Sequence, residues 1–445
     1  MAFGKDPETN AKQLEEAWET CLRWAKTRGM QFNASKSELI HFNKGRTQWS
    51  KPLSLKNPTG GEDSKVKPVA SARFLGVWLD WKLSWKAHGQ AVAAKLKTQE
   101  FALSRIAGKT WGPNLPRCRE IYTKCIRSLM AYGASSFHTP TPKRGKPAGL
   151  AVKLAKAQNR SLRIVAGAYK ATPIRHLELE SWVPPIDLYL NKRLADFEGR
   201  LKEPVSVAEG PLRAPGSVIQ EACDRLVLRA QRHRRNQRGR NVAYGPPLPT
   251  ATERASCVVE EWRELGEGGD TKDALAVAWK ERWEEETKEK REHRTPRLAD
   301  IDMDLTDKTL SKHEDLNRAQ SSLLTQARTG AVGLKDFLFR ARVPGIPSPY
   351  CVCGEGRETV EHLVVWCPNP PLPKIWPATR LYSRRDLQGA LMGGAHSARR
   401  LARKVLTWLM DTGLLLEYSL ARRLELEAAE EPAGGPAPRA EGSAL

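Results

Sequence analysis

The chain has 445 residues, and its 73 Lys and Arg against 51 Asp and Glu give a net charge of +22. Apolar residues make up 40% of it, enough to build cores and to exclude disorder throughout. No apolar run approaches the roughly 18–20 residues of a membrane span, and the start lacks the apolar stretch of a signal peptide. Eight cysteines are too few for a secreted disulfide scaffold. We expect an intracellular protein, nuclear or cytoplasmic, of two or three domains.

The positive charge makes a polyanion the default partner, and nucleic acid is the commonest one. A basic protein that binds no polyanion is the alternative. Neither a membrane nor a small-molecule substrate is indicated.

The first 110 residues are typical of a mixed α/β region. Apolar residues at helical spacing predict a helix over 10–28. Two apolar runs of strand length follow, at 38–42 and 74–79. The Gly-, Pro- and Ser-rich stretch 51–68 between them predicts a long connection.

Helical patterns dominate the next hundred residues. The predicted segments are 84–107, 116–133, 147–168 and 186–202, divided by Gly- and Pro-containing breaks. The span 142–203 holds thirteen Lys and Arg against six Asp and Glu, which describes a basic helical array. Residues 204–255 are Pro-rich and contain an arginine run at 232–240, as in a linker or mobile loop.

The C-terminal third predicts one more helix and a second small unit. The helix lies over 271–293, with a narrow apolar stripe. The unit spans about 305–425, with helical patterns over 310–324 and from Leu401 to Leu416. An Ala-, Gly-, Pro- and Glu-rich tail closes the chain and is expected to be disordered.

A cysteine and histidine cluster lies inside this unit. Cys351 and Cys353, with His362 and Cys367, form a C-x-C-x8-H-x4-C pattern. Zinc takes four such donors in a tetrahedron, and a Cys₃His set leaves no open position. The alternative is three buried thiols and a surface histidine, although three of the eight cysteines fall within seventeen residues. The pattern therefore predicts a structural zinc ion.

Motifs for common chemistries are missing from the sequence. It contains neither a phosphate-binding G-x4-G-K-[ST] loop nor a G-x-S-x-G nucleophile elbow. Residues 300–304 begin like a calcium loop, but Leu305 stands where the turn needs Gly and Ser311 where Glu belongs. No two aspartates are adjacent, whereas two-metal phosphoryl transfer needs clustered carboxylates. We therefore predict no catalytic residue.

Four segments carry a family resemblance. Residues 29–42 read Gly-Met-Gln-Phe-Asn-Ala-Ser-Lys-Ser-Glu-Leu-Ile-His-Phe and residues 74–80 read Phe-Leu-Gly-Val-Trp-Leu-Asp; residues 158–173 and 328–367 follow. In this order they resemble four parts of the reverse transcriptases of non-LTR, LINE-type retrotransposons of the fungal kind. Those parts are the segment after the catalytic aspartates, the primer grip, the thumb and the zinc-binding C-terminus.

The resemblance implies an α+β fold that is predominantly α-helical. It combines a partial palm containing a short β-hairpin, a helical thumb and a small helical zinc-binding module. The implied regions are a palm remnant 1–110, a helical thumb-like region 111–203, a basic or charged linker and helix 204–304, a C-terminal module with the CCHC cluster 305–425, and a disordered tail 426–445. The ribonuclease H domain that some relatives carry is expected to be absent.

The resemblance also implies contacts with an RNA or DNA template and primer. Lys36 would lie near the phosphates of an incoming nucleotide, and the strand around Gly76 would hold the primer end. By residue type alone, Lys36 is an exposed lysine and Gly76 a strand bend. The remaining predicted contacts to nucleic acid are Arg160, Arg163, Lys170, Arg232, Arg234, Arg235 and Arg238. A solvated basic linker remains the alternative for the arginine run.

The catalytic aspartates of the family would lie before Met1. The chain is then expected to bind nucleic acid without polymerising it, and Mg²⁺ would be needed only with an upstream catalytic half. One alternative is a truncated gene model of an active RNA-directed DNA polymerase, which the nucleotide sequence upstream of the Met1 codon would test. Another is a domesticated zinc-containing adaptor that binds protein. An incomplete palm would expose a sheet edge, so we expect 1–110 to pack poorly.

Overall fold

The computed structural model divides the chain into two compact units. The first comprises 1–97 and 132–138, and the second comprises 98–131 and 139–445. The residues whose structure is described are 6–33, 36–43, 45–57, 61–138, 149–202, 270–291 and 307–430, with a few isolated positions besides. The predicted linker and its arginine run therefore lie outside the described residues.

Helix α1 (Pro7–Thr27) opens the first unit, and it confirms the helix predicted over 10–28. Asp6 caps it, because its carboxylate accepts the Thr9 backbone N–H at 2.8 Å. Proline in the first turn costs no helical hydrogen bond. The apolar side of α1 packs in a small core with Leu39, Leu53 and Leu55.

Two antiparallel hairpins follow α1. Strands β1 (Leu53–Leu55) and β2 (Ser64–Val66) pair in one, and β3 (Ser71–Phe74) and β4 (Val77–Asp80) pair in the other. The first hairpin lies inside the stretch that the sequence predicted as a long connection. The strand predicted over 38–42 is wrong, since its backbone makes only an isolated bridge, from Leu39 to Pro68.

The strand predicted over 74–79 is wrong, because this apolar run contains the turn between β3 and β4. Leu75 has a φ of 46° and Gly76 a φ of 86°, the backbone of a two-residue hairpin turn. The Tyr132 hydroxyl donates to the Leu75 carbonyl at 2.7 Å and holds this conformation. Phe74 and Leu75 are 64% and 77% exposed, which places an apolar tip in solvent.

From here the chain is helical, and the predicted helices are found within a few residues of their expected ends. The helices of this part are α2 (Lys86–Ile106), α3 (Leu115–Ile121), a π-helical turn (Tyr122–Ile126), α4 (Arg127–Ala131), α5 (Ala134–Phe137), α6 (Leu150–Ala166), α7 (Ile174–Glu180), α8 (Ile186–Lys202) and α9 (Thr271–Arg291). The four-residue helix α5 was not predicted. The sequence reasoning missed α7, which is a short helix between Pro173 and Pro184. None of the described helices combines the length and apolar character that crossing a bilayer requires.

The C-terminal part adds short helices around one large core. They are a 3₁₀ helix (Asp307–His313), α10 (Arg318–Thr329), α11 (Lys335–Arg340), a π-helical turn (His362–Trp366), a 3₁₀ turn (Ala378–Arg380), α12 (Arg384–Met392), α13 (His396–Asp411) and α14 (Leu416–Glu430). The single helix predicted over 310–324 is wrong, since Asp315 with a φ of 61° separates two helices. The pattern from Leu401 to Leu416 is likewise divided, at Gly413 with a φ of 74°.

Helix α10 lies at the centre of the second unit, with every residue except Gln320 buried. Its first residue, Arg318, donates to the carbonyls of Gly108, Val165 and Ile164 at 2.6–2.7 Å. The last two belong to the C-terminal turn of α6, where carbonyls lack the N–H partner four residues ahead, although Ile164 also accepts the Gly167 N–H at 3.2 Å. A side chain of α10 thus completes the end of α6.

A buried ion pair joins α10 to α7. Arg328 Nε lies 2.6 Å from Glu180 Oε1, and neither side chain is exposed. Arg328 also donates to the Leu391 carbonyl of α12 at 3.0 Å. Burial by itself would raise the pKa of Glu180. The charge of Arg328 and the contact with His313 outweigh burial and lower the pKa to about 2. The carboxylate is therefore ionised and paired near neutral pH.

We expect Glu180→Gln to lower the free energy of unfolding by about 3–5 kcal/mol, because it removes the carboxylate charge that faces a buried guanidinium. Urea unfolding followed by circular dichroism measures this loss. The control is Glu120→Gln, which removes the exposed pairs with Arg117 and Lys124 and should cost less than about 1 kcal/mol. Equal losses in the two variants would contradict the importance of the buried pair.

The ionisation of the Glu180 carboxylate also makes the stability of the fold depend on pH, in a known direction. Its pKa in the fold lies below the ordinary value of 4.5, so its contribution is complete above pH 4.5 and is lost as the pH falls towards 2. The Glu180→Gln chain should lack this part of the acid-side loss of stability.

Candidate metal centre

Four candidate ligands converge in the C-terminal part. One ligand atom from each of Cys351, Cys353, His362 and Cys367 lies within 4.8 Å of the others. The Sγ atoms of Cys351 and Cys367 are 3.9 Å apart, and Cys353 Sγ is 3.1 Å from His362 Nε2. A tetrahedral site with metal–sulfur bonds of about 2.3 Å has sulfur–sulfur edges of about 3.8 Å. The group can hold a metal ion.

The first two ligands lie on a tight turn. The Gly354 N–H donates to the Cys351 carbonyl at 3.0 Å, and Gly354 has a φ of 81°. The Cys351 N–H donates to the Gly356 carbonyl at 2.8 Å. An antiparallel bridge between Tyr350 and Arg357 closes the loop below these bonds. The backbone therefore holds both thiols on one side of the loop.

The other two ligands lie at the ends of a π-helical turn. The Cys367 N–H donates to the His362 carbonyl at 2.6 Å, a bond between residues five apart. This wider turn puts positions five apart on the same side, whereas an α-helix does so for positions four apart. The π-helical turn therefore brings His362 and Cys367 together.

Gly356 leaves room for the imidazole of His362. A Cβ atom at position 356 would lie 2.5 Å from His362 Nδ1, far inside van der Waals contact. The His362 ring thus packs directly against the loop backbone. Any side chain at position 356 would push the ring away from the thiols.

A lysine lies beside the four ligands. Three thiolates and a neutral imidazole around a divalent ion carry a net charge of −1. The Lys374 ammonium donates to the Val365 carbonyl at 3.0 Å. Burial lowers the pKa of Lys374, and the nearby Cys367 opposes this. This cation can balance the charge of a loaded site, and the motif spacing gave no sign of it.

The thiols differ in how readily they ionise. Burial and the neighbouring thiols raise the pKa of Cys367 to about 12, against a smaller opposing effect of the Asn369 backbone. For Cys353, hydrogen bonds from the Glu355 backbone and the other two thiols outweigh burial and lower the pKa. Metal binding must therefore displace a firmly held proton from Cys367.

The ligand loop is tied to α11. The Glu358 carboxylate accepts the Lys335 backbone N–H at 2.9 Å, at the start of that helix. Arg357 pairs with Asp336, which also pairs with Arg340 at 2.7 Å. These contacts position the loop relative to the core of the C-terminal part.

The structure divides the predicted nucleic-acid contacts between the two units. In the first, Lys36 is exposed, and Gly76 lies in the β3–β4 turn, where a Cβ would meet the Tyr132 ring at 2.9 Å. Gly76 is thus a turn residue and not part of a strand. The arginines predicted at Arg232, Arg234, Arg235 and Arg238 lie outside the described residues.

In the second unit, two of the predicted arginines have partners within the fold. Arg160 Nε lies 2.8 Å from Glu100 Oε2, although the Arg160 side chain is 53% exposed. Arg163 donates to the carbonyls of Asn159 and Lys170 at 2.9–3.2 Å. The Lys170 side chain is exposed. These bonds reduce the number of donors that Arg160 and Arg163 can offer to a ligand.

The fold also brings together a serine, a histidine and a glutamate. Ser321 Oγ lies 2.9 Å from His313 Nδ1, and His313 Nε2 lies 3.6 Å from Glu180 Oε2. The residue types are those of a hydrolase triad, but the two ring nitrogens are exchanged, since in the triad Nε2 faces the serine and Nδ1 the carboxylate. All three residues are fully buried, however, and Ser321 Oγ accepts the Leu115 N–H at 3.1 Å. The trio is therefore part of the structural network around α10.

Among the described residues, no second group of three or more thiol, imidazole or carboxylate ligands converges. Comparisons of the chain with protein-family models, with curated proteins and with solved structures find no match. The ligand cluster and the distribution of charge are therefore the features from which a function has to be inferred.

We expect Cys353→Ser to reduce the bound metal from about one ion per chain to a small fraction of that, because three ligands hold a structural ion far less tightly than four. Elemental analysis of the purified chain measures the ratio. Cys125→Ser is the matched control, since Cys125 is exposed and outside the cluster. Equal metal content in the two variants would contradict the site.

We expect Gly356→Ala to weaken metal binding about 10–100-fold, the usual effect of disturbing a group that orients a ligand. Competition with a chromophoric chelator measures the affinity. The control is Gly389→Ala in α12, where a Cβ meets nothing within 4 Å. Unchanged affinity in Gly356→Ala would mean that the ring does not depend on that contact.

Proposed function

We propose that this chain is a reverse-transcriptase-like protein, derived from a LINE-type retrotransposon, that binds nucleic acid and carries a structural zinc ion. The proposal rests mainly on the convergence of Cys351, Cys353, His362 and Cys367. The net charge of +22 is consistent with a nucleic-acid partner. The four segments that resemble this family, in family order, supply the assignment to reverse transcriptases.

Zinc is the metal that best suits these ligands. Thiolates are soft donors that favour zinc over magnesium or calcium, and three thiolates with one imidazole complete a tetrahedral shell. Such a shell leaves no position for water or substrate, so the ion is assigned a structural role. Bound zinc would join the loop that carries Cys351 to the π-helical turn that ends at Cys367.

Nucleic-acid binding is supported by cations that the fold leaves in solvent. On α6, Lys153 and Lys156 are exposed and lie three residues apart, on neighbouring positions of one face. Lys170 is exposed just beyond the same helix. Cations of this kind neutralise phosphates without reading bases, so the binding is independent of sequence and sensitive to salt.

The proposal assigns the chain a binding role and no phosphoryl transfer. Polymerisation by two metal ions needs clustered carboxylates, and the sequence has no adjacent pair of aspartates. Zinc in a closed shell cannot take the place of those ions. The chemistry that remains is holding a template or primer.

We expect the full chain to bind single-stranded RNA with a strong dependence on salt. Each phosphate contact contributes about 0.7 to the slope of log affinity against log salt, so three or more contacts give a slope of about −2 or steeper. Fluorescence anisotropy with a labelled 20-nucleotide RNA measures it. A peptide nucleic acid of the same base sequence, which has an uncharged backbone, is the control and should not bind. A slope near zero, or equal binding of the two probes, would contradict the proposal.

A further inference from the structure

Helix α13 carries two rows of basic side chains with different surroundings. The first row is Arg399 and Arg403, four residues apart. Arg399 Nη1 lies 2.7 Å from Glu314 Oε2, and Arg403 donates to the Asp315 carbonyl. Both cations make contacts within the fold, and these contacts hold the segment that precedes α10.

The second row is Arg400 and Lys404, also four residues apart. Both side chains are exposed, and among the described residues neither has an ion-pair partner. They lie about one helical turn apart, roughly 6 Å along the axis. Contacts within the fold thus engage the first row, whereas the second row has no ion-pair partner among the described residues.

The free row lines a cleft of about 360 Å³. Arg380, from the 3₁₀ turn, is a third cation in its wall, and none of the described residues that line the cleft is acidic. Its apolar part comes from Trp376 and Leu401. Trp376 is held against Trp408 with the ring centres 5.3 Å apart, so this wall is firmly packed.

The start of α13 adds to the positive potential of the cleft. No side chain caps this helix, and its first turn contains no acidic residue. Ser397, in that first turn, lines the cleft. Uncapped backbone N–H groups at a helix start carry partial positive charge and attract anions. Three side-chain cations and this helix end thus surround one concave surface.

We propose that this cleft binds the phosphodiester backbone of single-stranded nucleic acid, an inference that rests on the proposed function and locates one of its contact surfaces. The cations come from two separate elements. This arrangement suits a ligand with several successive phosphates, such as a nucleic-acid strand, better than it suits a single small anion. Arg400 and Lys404 would neutralise neighbouring phosphates, with Arg380 on the opposite wall. The apolar wall would face a sugar or base.

The test compares Arg400→Ala/Lys404→Ala with Arg385→Ala/Arg423→Ala in the full chain. Both double variants remove two exposed cations of the C-terminal part, but Arg385 and Arg423 do not line the cleft. Binding of a labelled single-stranded RNA is measured by anisotropy over a range of salt concentrations. The cleft variant should lose about 1.4 from the magnitude of the salt slope and weaken binding at about 0.1 M salt at least tenfold. The control variant should match the wild type.

A conservative variant and a check on folding complete the design. Arg400→Lys keeps the charge and should retain the wild-type slope. Metal content and thermal unfolding of each variant are measured beside binding, and they should not change because the substituted side chains are exposed. If the Arg400→Ala/Lys404→Ala variant keeps its metal but loses affinity for RNA, this supports a direct contact between the cleft and the RNA.

The outcomes separate the two proposals. If the wild type binds RNA and the cleft variant has the same slope, the cleft assignment is overturned while the proposed function stands. Equal losses in the two double variants would also overturn the cleft, because net charge alone would then explain binding. If the wild type binds no RNA at any salt concentration, the proposed function fails and the cleft assignment fails with it.

Discussion

The second unit depends on the buried ion pair between Arg328 and Glu180. A charge pair without solvent gains little over an apolar contact, because desolvation offsets most of the attraction. The pair holds α7 against α10, since separating the two helices would break a contact between two buried charges. Arg318 extends this constraint by completing the C-terminal end of α6. One polar helix therefore sets the positions of its neighbours, and the apolar core fills the space between them.

The metal ligands belong to this same packing. Cys351 and Cys367 are members of the core cluster that also contains Leu323, Leu363 and Trp408. A metal at the ligands would therefore stabilise the core itself as well as the loop that carries them, and binding would be coupled to folding. Because the core also includes residues of α13, the basic cleft lies on the surface of a body whose packing the metal supports.

Local patterns could be predicted from the sequence, and distant partnerships could not. The four ligands have a characteristic spacing, and the long helices have apolar periodicity. By contrast, the apolar run around Leu75 is typical of a strand. The turn there could not be predicted, because the Tyr132 hydroxyl that stabilises it comes 57 residues later. Arg328 reads as a surface residue of a polar helix, since Glu180 lies 148 residues away. The sequence likewise does not distinguish Arg400 and Lys404 from Arg399 and Arg403, because only the structure shows which of them contact the segment before α10.

The closeness of two thiols has a consequence for handling the protein. The sulfur atoms of Cys351 and Cys367 are 3.9 Å apart, close enough for the two thiols to be candidates for a disulfide bond, whose length is about 2.05 Å. Oxidation of the metal-free chain would thus consume two of the four ligands at once and block reloading. A bound ion would protect this pair from oxidation, and a chain that lost its metal in air would need a reductant before it could be reloaded.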